Sequence, residues 1–282
     1  MSLLQALVLG VIQGLTEFLP ISSTAHLRVV PAFLGWDDPG AAFTAVIQIG
    51  TLVAVVAYFW SDIVRLARAW LLGLTAGKPL ASPDAKLAWM IAVGTIPIVV
   101  CGLTFQKQIK SELRSLYVIA AAAIALALVL MLAEGWLKRR LRQGQAPRTM
   151  PVLNWTDALV VGLAQALALL PGASRSGVTI TACLFRGMER STAARFSFLL
   201  SLPAILAAGA YERYKDRAEL LATREHMLAL LIATAVSGVV GYASIAFLLS
   251  YLKNHTTWLF IAYRLVLGGL ILVLLVLGNL QS

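Results

Sequence analysis

Four stretches of this chain, Ala41 to Trp60, Leu87 to Phe105, Leu116 to Ala133 and Trp258 to Gly278, run about 18 residues or more with almost no charge, Arg264 being the one interruption in the last. A helix of that length spans the hydrocarbon core of a bilayer, so these stretches set the fold class before any motif is considered. Phe196 to Tyr211 and Met227 to Leu252 add two further candidates, the first carrying Pro203. With 60% hydrophobic residues, 13% charged residues and a mean hydropathy of +0.84, the rest of the chain fits an all-α polytopic membrane protein with about six spans. The first apolar run lacks a preceding Lys or Arg and contains Gln13, Glu17 and Pro20, which argues against a cleavable signal peptide.

The net charge of +10 does not point to nucleic acid, because Lys and Arg sit in short connections between apolar runs, as in KRRLRQGQAPR at 138–148. Basic residues in 61–86, 138–154, 186–195 and 251–256 outnumber those at Arg28, 107–115 and 212–227. The excess places both termini outside the cytoplasm. Cys101 and Cys183 lie in apolar surroundings without a metal-binding spacing and read as small buried hydrophobes.

The chain also resembles itself. Ala6 to Gln13 (ALVLGVIQ) matches Ala158 to Gln165 (ALVVGLAQ) at an offset of 152. With one deletion, LPISSTAHL at 19–27 falls on LPGASRSGV at 170–178, pairing Pro20 with Pro171 and Ser23 with Ser174. Phe43 to Tyr58 echoes Phe196 to Tyr211. The reading is a single membrane domain of two repeats, about 1–145 and 150–282. Each repeat is a re-entrant helix broken at a proline plus three transmembrane helices. An odd number of crossings per repeat inverts the second relative to the first, so the breaks meet near the midplane, where irregular backbone survives only if buried or wet.

The breaks carry the candidate chemistry. Gln13 and Glu17, four residues apart, share a helix face, and Glu17 is a lone acid at membrane depth. Beyond Pro20, Ser22, Ser23 and Thr24 suit a new helix cap whose N–H groups hold an anion, and His26 lies within a turn of Ser23. In the second break, Ser174, Arg175, Ser176, Gly177 and Thr179 place a guanidinium fork beside hydroxyl donors, the geometry that suits phosphate oxygens. A Glu17–Arg175 pair that merely neutralises two buried charges is the plain alternative. Arg264 and Glu134 stay unassigned: either lines the cavity or, the favoured reading, snorkels or pairs near an interface.

The two motifs, QGLTEFLPISSTAHL and PGASRSGVT, resemble those of the bacterial undecaprenyl-pyrophosphate phosphatases of the bacitracin-resistance type, and the resemblance covers the whole chain. It implies hydrolysis of undecaprenyl diphosphate to the monophosphate and inorganic phosphate in the bacterial cytoplasmic membrane, recycling the carrier lipid for cell-wall synthesis, with the site open to the outer face. It implies Ser23 as nucleophile with His26 as acid/base partner, and Glu17 holding Mg2+ or Ca2+. Ser174, Arg175, Ser176 and Thr179 would bind phosphate with Ser22 and Gln13. Glutamine at position 13 removes one charged metal ligand. The serine and a directly attacking water both remain open as nucleophile, the oligomeric state is open with a homodimer among the options, and a prenyl phosphate transporter or flippase is the rival class.

Overall fold

The computed structural model describes residues 1–105, 115–215, 224–278 and 280, and their side chains except at 41–42, 208–215 and 224–226. The basic segments 107–115 and 212–227, used above to weigh orientation, therefore fall almost wholly outside the described residues and side chains. All regular structure among the described residues is helical: α1 Leu3–Phe18, α2 Ser23–Phe33, α3 Gly40–Tyr58, α4 Trp60–Thr75, α5 Pro83–Thr104, α6 Leu116–Arg142, α7 Trp155–Ala166, α8 Arg175–Phe185, α9 Arg190–Lys215, α10 Arg224–Asn254 and α11 Trp258–Val276.

Among the described residues four helices are long and apolar enough to cross a membrane: α5, α6, α10 from Met227, and α11. The bent pair α3–α4 makes up to five. The stretch expected to end as a span at Trp60 instead turns by 73° at Phe59 into α4. Helix α4 buries Asp62 and Leu66 and exposes Trp60, Leu71 and Leu72. The sixth expected stretch, Phe196 to Tyr211 in α9, runs beyond the described side chains at 208, so its reading as a span falls partly outside them.

The two motif helices are short because the sequence caps them early and then breaks them. Ser2 and Gln5 form a capping box at the start of α1, and Asn154 and Asp157 form one at the start of α7. Twenty residues after each of these N-caps stands another, Ser22 before α2 and Ser174 before α8, at φ 75° and 66°. They are the only non-glycine residues with positive φ among the described residues. Each hydroxyl accepts an amide of its own first turn, Ala25 N–H at 3.4 Å and Gly177 N–H at 3.2 Å, which offsets part of the backbone strain of about 1–3 kcal/mol.

This geometry corrects the gapped register. Capping boxes and break caps all recur at the single offset of 152, so Ser22 corresponds to Ser174 and Ser23 to Arg175. Pro171 comes one residue earlier than Pro20 on that register. The second half absorbs the shift by tightening Leu167–Leu169 into a 3-10 turn and by adding Gly172, at φ 89°.

Each motif helix packs on a span of the other half, α1 along α10 and α7 along α5. Corresponding glycines make both crossings close. A Cβ at Gly10 would lie 2.6 Å from the Ala233 carbonyl, and one at Gly162 would lie 2.4 Å from that of Gly94. The largest apolar cluster draws on both halves, from Phe18 and Phe59 to Phe198, Leu248 and Ile261.

Ion pairs gather one end of the bundle. Asp157 accepts from Arg148 at 2.6 Å and Arg186 at 2.7 Å, and Arg195 reaches Asp62 at 2.6 Å. Glu134 holds Arg190 together with the backbone and hydroxyl of Thr257, the pairing expected of it. These contacts join the segments around 61–86, 138–154 and 186–195, which the charge pattern had placed on one side. Both cysteines are free, Cys183 fully buried and Cys101 half-buried.

Candidate functional site

The carboxylate of Glu17, in the last turn of α1, is the hub of the two breaks. Its side chain is 6% exposed. Four donors converge on it: Ser23 Oγ at 2.7 Å and Gln13 Nε2 at 3.1 Å on Oε2, and Gln48 Nε2 at 3.2 Å with the Arg175 guanidinium on Oε1. A buried carboxylate left without partners is penalised by several kcal/mol, so this convergence is what allows an acid at such depth. It also brings together residues 158 positions apart in the sequence.

A second tie joins the breaks directly. Ser176 Oγ, in the first turn of α8, donates to the Leu19 carbonyl at 3.1 Å and lies 3.2 Å from Ser174 Oγ. The N-termini of α2 and α8 thus lie beside one acid and one guanidinium, an arrangement with the donors for a phosphate group. Thr179 is placed differently. It is fully buried and bonds the Arg175 carbonyl at 2.8 Å and Ser197 Oγ at 2.5 Å, fastening the first turn of α8 to α9 instead of joining the group around Glu17.

His26 is one turn along α2 from Ser23, but the two are not hydrogen-bonded in this state, Ser23 donating to Glu17 instead. The His26 ring is held between the Ser22 carbonyl, 2.7 Å from Nδ1, and the Tyr263 hydroxyl, 2.7 Å from Nε2. A carbonyl only accepts, so Nδ1 carries the proton, and in the neutral ring Nε2 receives the tyrosine hydroxyl.

Gln48 and Tyr263 complete the hydrogen-bonded groups at the two motifs, yet neither stands in a motif. Their only sequence signal is a lone polar group in an otherwise apolar span. Arg264, expected near an interface, is instead 1% exposed at the centre and does not snorkel. The reason is local: backbone carbonyls of the two breaks and of α6 surround its guanidinium.

Gln13 bears on metal binding. Its amide nitrogen is spent on Glu17, while Oε1 is buried without a hydrogen-bond partner among the described residues. An orphaned amide oxygen beside a carboxylate is a pair of hard-oxygen donors of the kind Mg2+ and Ca2+ take. Among the described residues no group of three or more His, Cys, Asp and Glu side chains gathers, at this site or at any other.

Comparison with known proteins gives a consistent result. The family described as Bacitracin resistance protein BacA matches residues 6–270. Relatives described as undecaprenyl-diphosphatase include one from Prosthecochloris aestuarii, 58% identical over 282 residues and covering 100% of both chains. Another, from Chlorobaculum tepidum, is 59% identical over 280 residues and 99% of both chains, and one from Chloroherpeton thalassium is 58% identical over 282 residues.

Proposed function

The chain belongs to the bacitracin resistance protein BacA family, and from that premise we propose that it is a multi-pass membrane phosphatase that hydrolyses undecaprenyl diphosphate to undecaprenyl phosphate and inorganic phosphate, returning the carrier lipid to cell-wall synthesis. The observation that carries the assignment to these residues is the meeting of Glu17, Ser23 and Arg175 from two distant segments on one carboxylate. A carrier for an anion needs the arginine, whereas a hydroxyl hydrogen-bonded to a carboxylate beside it is the equipment of phosphoryl transfer.

A lipid diphosphate entering from the bilayer competes with Glu17 for Arg175, whose planar fork takes two phosphate oxygens at once. The first amides of α8, with Ser174 and Ser176, bind further oxygens, and Ser22 and the first turn of α2 close the opposite side. Ser23 Oγ then attacks the terminal phosphorus as Glu17 accepts its proton, and the bond to the lipid monophosphate breaks. Water then displaces the serine from phosphorus, His26 Nε2 taking the water's proton once Tyr263 has yielded that nitrogen and Glu17 returning its own proton to Ser23 Oγ. Mg2+ or Ca2+ held by Glu17 and Gln13 Oε1 would spread the charge of the diphosphate. Thr179 contributes by fixing the turn that carries Arg175.

The repeat supports placing this site within the bilayer. Two short broken helices, each packed on a span of the opposite half, suit an inverted pair of about 1–145 and 150–282 forming a single membrane domain. The residence proposed is the bacterial cytoplasmic membrane with the site open to the outer face, in keeping with the basic, ion-paired end lying inside. A homodimer is compatible with this arrangement, and no nucleic-acid partner is proposed.

The test is phosphate release from a long-chain prenyl diphosphate by the detergent-solubilised protein, with no sealed compartment. Release that depends on Mg2+ or Ca2+ supports the phosphatase, while a well-folded sample that releases no phosphate would favour the flippase. Ser23→Ala separates the nucleophiles, since appreciable residual turnover excludes obligatory attack by serine.

A further inference from the structure

Arg264 belongs to neither motif, yet both breaks end on it. Its Nη1 donates to the Pro20 carbonyl at 3.5 Å and its Nη2 to the Gly172 carbonyl at 3.2 Å. Nη2 also reaches Ala122 O at 3.4 Å, and Nε reaches Ala123 O at 3.2 Å, both on α6. Among the described residues no carboxylate pairs with it, and only 1% of the residue is exposed.

A cation at membrane depth is costly, and a role in packing alone would be filled by methionine or leucine. The fork geometry supplies what those residues lack. Carbonyls at the end of a broken helix have no amide partner within the helix, and one planar guanidinium satisfies such a group on each break while its other edge is anchored to α6. Gly177 makes room for it, because a Cβ there would stand 2.6 Å from Arg264 Nη1. The adjacent Tyr263 holds His26, so α11 touches both motifs through consecutive residues.

We propose that Arg264 is a positioning residue that locks the two helix breaks into one unit, keeping Ser23 on one in register with Arg175 on the other. The inference rests on the phosphatase reading above. Most of the substrate contacts, those of Arg175, Ser174, Ser176 and the amides of α8, lie within one break, whereas attack by Ser23 needs both in register. Loss of the lock therefore lowers kcat and leaves KM nearly unchanged. A misplacement of about 1 Å is worth about 100-fold in rate.

The experiment measures kcat, KM and thermal unfolding of the purified full chain and of Arg264→Lys, with a long-chain prenyl diphosphate. Lysine keeps the charge and loses the fork. The lock predicts a kcat about 10- to 100-fold lower, with KM within about threefold of the parent. A kcat within about twofold of the parent, a rise confined to KM, or a loss confined to thermal stability would each overturn it. Hydrogen exchange of the parent protein under graded denaturant gives a second reading that needs no variant. Amides 24–28 and 176–180 should open together with a common free energy, and clearly different opening free energies for the two turns would sink the proposal. A parent that releases no phosphate would defeat the phosphatase reading, and the exchange measurement would still decide on the lock.

Discussion

The two helix breaks share a backbone and differ in chemistry. Each begins with a capping box, runs 20 residues to a serine N-cap at positive φ, and starts an 11-residue helix from it. On the shared register, however, Ser23 stands where the second break has Arg175, and Gln13 has its counterpart in Gln165, while Glu17 meets Leu169. Two helix N-termini suited to anions thus share one backbone, and the proposed mechanism divides the reaction between them: acid and hydroxyl on one, guanidinium on the other.

The sharpest way to break the comparison is to remove the unique group of each half. Arg175→Ala is expected to lower kcat/KM by about 10³-fold, since it deletes the fork that meets the developing phosphate charge. Glu17→Gln keeps the shape and removes the proton acceptor, for a loss of about 10²-fold. Both are read by phosphate release per folded molecule. If Arg175→Ala lost less than Glu17→Gln, the division of labour between the breaks would be wrong.

The shared backbone is tested by paired changes. Gly10→Ala and Gly162→Ala place a Cβ within 2.6 Å and 2.4 Å of facing carbonyls, and each should destabilise the protein by about 1–3 kcal/mol in thermal unfolding. Ser22→Ala and Ser174→Ala should each lose about 1 kcal/mol, whereas glycine at either position should lose only a few tenths, because it accepts positive φ without strain. Unequal responses within either pair would mean that the halves are not equivalent at that point.

How much of this was legible before the structure depends on where the signal lies. Apolar length identified α5, α6, α10 and α11, because few charges are tolerated across the hydrocarbon core. Helix α4 escaped notice because Asp62, Arg65 and Arg68 on one of its faces made it look like a connection. The motif residues Glu17, Ser23 and Arg175 stood out as polar groups in short broken segments. Gln48 and Tyr263 did not, and Arg264 stood out only as a charge in a span, since a polar residue there shows what it is but not which neighbour satisfies it. The register was misread for a related reason. Matching letters favoured aligning the prolines, while the backbone is governed by the caps, and a 3-10 turn absorbs the difference.

The central claim is that two breaks make one active site. Phosphate release from a long-chain prenyl diphosphate should be followed for the parent, Glu17→Gln, Arg175→Ala and the double variant. The account predicts turnover by the parent, a loss of about 100-fold or more in each single variant, and a double variant scarcely worse than the weaker single, as expected of residues that act as a unit. Losses that multiply, or a folded parent that releases no phosphate, would contradict it.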